Sequence, residues 1–367
     1  MKTFKILIIA MLVLSTSCGK AQKKVELFGE RIIVDYPQRV DTLEGYIVEL
    51  EGAYTGLLFA YDGLLVFKSE LHRDGWLYLF DAETGKRISA IAPRGNGPNE
   101  FVNLLFWRGF EKNTNTNEIY LWVNDFHRQN LVLLNTQGER VREVSTSEFR
   151  QTSNPFGIGG FHMLNDSLLL AHVHPWRISE TRFTASGQHV FNFQQGKTVR
   201  EFMIFSEYDH PADVNWPSQY LTSNTALKPD RTKLAIAMFD LRRLNILDLE
   251  SGEVKSIATT GSPHLHHLWH GERVVEHYRG IKSDDYFIFV IESMRARRTE
   301  ANARFWSEYL STPSGRIFVF DWEGNFLRIL QVNEDAAWIT FDPVRRILYS
   351  RTDCERITAY DVNFLYE

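Results

Sequence analysis

The sequence predicts an all-β fold: a six-bladed β-propeller, with seven blades as the alternative, whose last blade is closed by an N-terminal strand. Three observations carry this. Short runs of aromatic and β-branched residues bounded by Gly, Asn, Asp or Pro recur along the whole chain, and strong helical periodicity is nearly absent. One unit returns at intervals: a strand ending in a polar residue, a tight glycine turn, then a strand of alternating character. The last repeat lacks an outer strand, while a strand near the N-terminus has no hairpin partner nearby.

The unit reads FDAETGKRI from Phe80, LNTQGERVREV from Leu134, FTASGQHVF from Phe183, LDLESGEVKSI from Leu247 and FDWEGNFLRIL from Phe320. Each glycine follows polar residues, as a hairpin requires when one turn residue must take a positive φ, so the unit is assigned to the outer hairpin of a blade. Gly85, Gly138, Gly187, Gly252 and Gly324 are separated by 53, 49, 65 and 72 residues, so loops must absorb the excess over compact propeller repeats. A sixth unit starts with AAWITFD at Ala336 and continues through RRILYSR and RITAYDV. The segment ERIIVDY, residues 30–36, is expected to supply its missing strand, because closure removes the free edges that an open sheet leaves. The stretches 200–224 and 258–292 are long enough to hide a seventh blade.

The N-terminus reads as an export signal. Lys2 and Lys5 precede and flank an apolar run from Ile6 to Leu14, too short for a membrane span, which Ser15, Thr16, Ser17 and Cys18 follow. A cysteine after small residues at the end of such a run is what lipoprotein processing needs, so residues 1–17 are expected to be a signal peptide, Cys18 the lipidated residue and 18–29 a tether. Leu14 stands four residues before Cys18, one more than the usual spacing, and plain cleavage after Ala21 is the alternative. Only Cys354 then remains as a thiol, so residues 30–367 must hold together by burial and hydrogen bonding. With 44% hydrophobic and 13% aromatic residues, a large core is available. The formal charge of −5 falls to −7 without the two signal lysines, which argues against nucleic acid as a partner.

Three stretches resemble the TolB-like six-bladed propeller lipoproteins of Bacteroidetes: RGNGPNEF at 94–101, ALKPDRTKLAIA at 226–237, and YFIFVIE at 286–292 with GRIFVFDWEGNFLRIL after an insertion. The first is similar to the family's glycine-proline turn between the first two blades. The second is similar to its proline-aspartate strand start, with Arg231 where a TolB-type turn usually has glycine. The resemblance implies fold and compartment and supplies no catalytic residues. The segment GKAQKK after Cys18 lacks the acidic cluster that marks surface export in those bacteria, which points to the periplasmic face of the outer membrane, with the cell surface as the alternative.

Candidate site residues fall in connectors. Arg94, Asn96 and Glu100 belong to a turn-rich segment that either exposes amides to an anion or partner, or simply links two blades. Tyr208, Trp216 and Tyr220 lie in an aromatic stretch, 202–222, that can stack on a ligand or pack onto its own blade. Trp306 lies in 293–310, expected to be a helical insertion with Arg295, Arg297, Arg298 and Arg304 on a basic side. His264, His266, His267 and His270 are dense enough to hold a transition metal with Glu272 or Glu276, although their spacing matches no closed metal motif. His172 and His174 share a strand face and can join His162. No GxSxG, Walker, HExxH or paired-cysteine motif is present. The expectation is a non-catalytic envelope scaffold that binds a partner protein or small polar ligand at one ring face, with no cofactor. Its rival is a lyase or lactonase that uses a histidine-bound metal.

Overall fold

The computed structural model describes residues 31–367 except 53–55, 70–71, 73, 149–159, 174–181, 184–185, 206–207, 210–222, 240, 263–275, 298–308, 333–335 and 353–355. An N-terminal segment carries β1 (Arg31–Val34), β2 (Val40–Leu43) and β3 (Tyr46–Val48). Blade 1 is β4 (Leu57–Tyr61), β5 (Leu64–Lys68), β6 (Leu77–Asp81) and β7 (Arg87–Ile91). Blade 2 is β8 (Leu104–Lys112), β9 (Ile119–Asp125), β10 (Asn130–Asn135) and β11 (Arg140–Ser145). Blade 3 is β12 (Phe161–Met163), β13 (Leu168–Val173), β15 (Ser186–Asn192) and β16 (Lys197–Phe205), while β14 (Arg182–Phe183) and β17 (Tyr208–Asp209) pair beside it. Blade 4 is β18 (Ser223–Leu227), β19 (Lys233–Met238), β20 (Arg243–Asp248) and β21 (Val254–Thr259). Blade 5 is β22 (Glu276–Ser283), β23 (Phe287–Arg297), β24 (Tyr309–Asp321) and β25 (Phe326–Val332). Blade 6 contributes β26 (Ala336–Asp342), β27 (Ile347–Thr352) and β28 (Ile357–Asp361), with β3 as its fourth strand.

Each blade is an antiparallel meander with its first strand innermost. Alternate residues of a strand serve different neighbours. Phe59, Val66 and Leu79 pack toward blade 2, whereas Leu58, Leu65 and Phe80 pack toward blade 6. Both faces are therefore buried, which is why strands such as LLVFK read as continuous apolar runs rather than alternating ones. Among the described residues the core is divided into six clusters, one in each gap between blades, and the cluster joining blade 6 to blade 1 closes the ring. Removing a large side chain from any of these gaps would cost about 2–5 kcal/mol.

Closure is N-terminal, as expected, but through other residues. Tyr46, Ile47 and Val48 pair antiparallel with Ala359, Thr358 and Ile357, and Val48 is buried in the blade 6 to blade 1 cluster. The segment 30–36 instead places β1 parallel to β21 as a fifth strand of blade 4, and β2 adds in the same way to β25 of blade 5. The reason is packing: Val34 and Tyr36 reach the blade 4 to blade 5 cluster and Leu43 the blade 5 to blade 6 cluster, so the segment crosses two complete blades before it reaches the incomplete one.

Two further expectations change. Gly187 lies inside β15, opposite Val173 and Met203, and the outer turn of blade 3 is at Gly196, whose φ is +63°. The other four turn glycines have φ between +67° and +88°. The helical insertion expected over 293–310 is replaced at both flanks by strand, since β23 runs on to Arg297 and pairs it with Tyr309 of β24. The ladder already satisfies the backbone groups there, and 298–308 lie outside the described residues.

Candidate ligand site at the turn end of the ring

The inner strands of all six blades run in one direction, and their C-terminal ends surround a cavity of about 490 Å³, within the range of small-molecule sites. Tyr61, Lys112, Met163, Leu227 and Ser283 are the last residues of their strands, and Phe341 is one residue from the end of its own. Tight turns leave the strands at this end. The connectors between blades leave the opposite end.

One wall is aromatic. Tyr61 and Phe110 stack at 5.1 Å with 8° between their planes, joining blade 1 to blade 2, and Phe110 meets Phe106 edge-on at 5.4 Å. Trp122, Phe161 and Phe341 line the cavity as well. The Trp122 indole N–H donates to Glu111 Oε2 at 2.9 Å, which fixes a carboxylate at the rim. Burial raises the Tyr61 hydroxyl above its usual pKa, and the charges of Asp62 and Asp342 add to this, so it stays a neutral donor.

Cations and hydroxyls line the cavity too. Lys112 pairs with Asp62, and Lys228 with Asp230, which its neighbouring lysine and threonine hold down to about 2 against the opposing effect of burial. The ammonium of Lys282, a buried residue, lies 5.6 Å from the Phe59 ring. His162 Nε2 and Thr225 Oγ1, 2.9 Å apart, bridge blades 3 and 4. Arg231 holds the left-handed conformation, φ +63°, which favours glycine. Its N–H closes the turn onto Lys228 O at 2.8 Å, and its guanidinium donates to Leu164 O of blade 3 at 2.7 Å. The strain of a non-glycine residue there is offset by an inter-blade bond that glycine cannot make.

The rim is braced at the ring closure. Asp342, fully buried at the end of β26, accepts the backbone N–H groups of Asp62 and Gly63 at 2.9 and 2.7 Å, and those of Val344 and Arg345 at 3.0 and 3.1 Å. One carboxylate thus orders the turns of blades 1 and 6 together.

Apart from His162 and Arg231, the residues singled out in the sequence do not line this cavity among the described residues. Arg94 donates to Ser69 O and Gly75 O and sits 3.7 Å from the Trp76 ring centroid, while Glu100 Oε2 accepts Gly97 N–H at 2.7 Å. Arg128 donates to the carbonyls of Asn96, Gly97 and Glu100, so this connector is tied down by its own blades. His172 is buried and its Nδ1 is 2.7 Å from Gln188 Nε2, apart from the cavity that His162 lines. Tyr208 is placed in β17 by its backbone alone. Cys18, His174, Trp216, Tyr220, His264, His266, His267, His270 and Trp306 lie outside the described residues. Among the described residues no group of three His, Cys, Asp or Glu is arranged for a metal. Sequence reasoning missed the cavity, because each blade supplies only two to six of its residues at unrelated positions. The polar residues that close the inner strands, Lys112, Lys228 and Ser283, were the available signal.

No family model matches the chain, and no curated protein matches it. Among solved structures it is similar to a member of the DUF4221 family from Bacteroides vulgatus, with TM-score 0.58 and 15% identity over 93% of this chain and 98% of that one. It is also similar to a "Putative exported protein" from Bacteroides fragilis, with TM-score 0.51 and 16% identity over 88% and 89% of the two chains. At these identities the likeness concerns the fold.

Proposed function

We propose that this propeller is a non-catalytic scaffold of a bacterial envelope, lipid-anchored at Cys18, and that it binds a small polar ligand in the cavity at the turn end of its ring. The carrying observation is that all six blades converge there and line it with a stacked aromatic pair, lysines, an arginine and hydroxyls. Such a wall suits a ligand with one flat apolar face and several polar groups. The export signal, the lipoprotein-like cysteine and the resemblance to TolB-like lipoproteins support an outer-membrane location, facing the periplasm. The likeness to a protein named as exported agrees with this reading.

The test is a thermal-shift screen of the chain carrying Cys18→Ser against monosaccharides, uronic acids and free amino acids. At least one class should raise Tm by about 3 °C at saturation. That rise should vanish in Tyr61→Ala and Lys282→Met variants. A ligand response that survives both substitutions would remove the cavity from the proposal.

A further inference from the structure

Among the described residues, arginines in the interior or at its margin such as Arg242, Arg316 and Arg128 have partners, whereas Arg243 differs. Arg242 and Arg316 both pair with the fully buried Glu292, and Arg128 has Asp125 and three carbonyls. Arg243, the first residue of β20, is only 6% exposed, and among the described residues no acceptor reaches its Nη1. Burying a guanidinium is costly unless a counter-charge or acceptors meet it.

Register places a second guanidinium on the same side. Arg243 pairs opposite Met238, which belongs to the blade 3 to blade 4 cluster, so its side chain faces blade 3. Asn245, two residues on, shares that face and pairs opposite Ser256, which in turn is opposite Arg31 of β1. Arg31 donates to the backbone carbonyl of Ser262. The face of blade 3 across this gap presents the buried amide of Gln188, which meets His172. Burial, with the positive charge of Arg31 adding to it, brings Arg243 down to about 10.

We propose that the gap between blades 3 and 4 is an oxyanion site, in which Arg243 and Arg31 bind a phosphate, sulfate or carboxylate group. Guanidinium forks match the spacing of such oxygens, and a bound anion supplies the counter-charge that Arg243 lacks. The site is separate from the cavity at the turn end and does not depend on it.

The experiment follows Tm of the full chain carrying Cys18→Ser in chloride, acetate, phosphate and sulfate at matched ionic strength. Phosphate and sulfate stabilise most folds by exclusion from the surface, so the readout is the difference between parent and variant. The parent should gain about 3–5 °C more than an Arg243→Met variant in at least one oxyanion. In chloride the variant should melt at or above the parent, because an uncompensated charge has gone. Arg243→Lys should fold and keep part of the gain, and Arg31→Met should lose most of it. Equal anion responses in parent and Arg243→Met would overturn the proposal. So would an Arg243→Met variant that melts well below the parent in chloride, which would mean that a carboxylate of the chain itself already pairs with Arg243.

Discussion

The N-terminal segment adds three strands to the ring, and β1 and β3 show how differently one stretch of chain can act. β1 lies parallel on a blade that already has four strands, and its Ile32 and Ile33 stay exposed. β3, shorter by one residue, lies antiparallel on a blade that has three, and it buries Val48 in the cluster joining the last blade to the first. A strand's contribution here depends on whether a blade needs it to be complete, and length says little. Parallel pairing is also slightly weaker per residue.

Truncation should show the largest contrast. Removing residues 1–37 takes away β1 alone and should cost about 1–3 kcal/mol in chemical denaturation, with a single cooperative transition retained. Removing residues 1–48 also strips β2 from blade 5 and β3 from the last blade, whose edge is exposed and whose closing cluster opens. Aggregation or loss of the cooperative transition is therefore expected, and more than removal of 1–43 causes. If these last two truncations melted alike, the distinction between the strands would fail.

Point substitutions sharpen the contrast. Val48→Asp places an unpaired carboxylate in an apolar gap and should cost more than about 3 kcal/mol. Ile33→Asp, at a residue 60% exposed, should stay within about 0.5 kcal/mol. Urea titrations of both variants, read by far-UV circular dichroism, give the two numbers directly.

A smaller effect tests a second fastening, where the C-terminal residues meet blade 5. The Tyr366 hydroxyl donates to Asp284, the Tyr366 ring meets Phe287 edge-on at 5.1 Å, and Arg346 lies 3.8 Å from its centroid. Burial raises the Asp284 carboxyl above the ordinary 3.8, while the bond from Tyr366 opposes the rise. The folded state therefore holds this proton to a higher pH than the unfolded chain does. Its stabilising effect is complete below about 3.8 and is lost as pH rises through the raised folded value. Asp284→Asn should thus gain on the parent between pH 4 and pH 7, read as the difference in urea midpoint. A constant difference across that range would remove Asp284 from the pH dependence.

How legible this was follows from what each feature rests on. The outer turns were readable at Gly85, Gly138, Gly252 and Gly324 because a polar run before a positive-φ glycine is a local signal. Blade 3 misled because FTASGQHVF carries the same pattern inside a strand, while the true turn, NFQQGK, ends in a glycine of the same kind. Residues 30–36 look more like a closing strand than YIV at 46–48 does. The outcome turned on which blade lacked a strand, a property of residues about 300 positions away. The cavity was beyond reach for the same reason, since Tyr61, Lys112, Lys228 and Lys282 meet only once six blades have closed. Arg231 was visible as a departure from glycine, but its bond to Leu164 O was not.

The closing pair also sets an order of events in time. Tyr46–Val48 is synthesised about 300 residues before its partner Ile357–Asp361. No ring exists until the chain has been made to that point, whatever the individual blades do meanwhile. A growing chain therefore carries open gaps and unpaired edges throughout synthesis, and contacts of such separation form slowly. The same delay leaves apolar blade faces uncovered, which makes the interval before closure the period when the chain most needs protection from its neighbours.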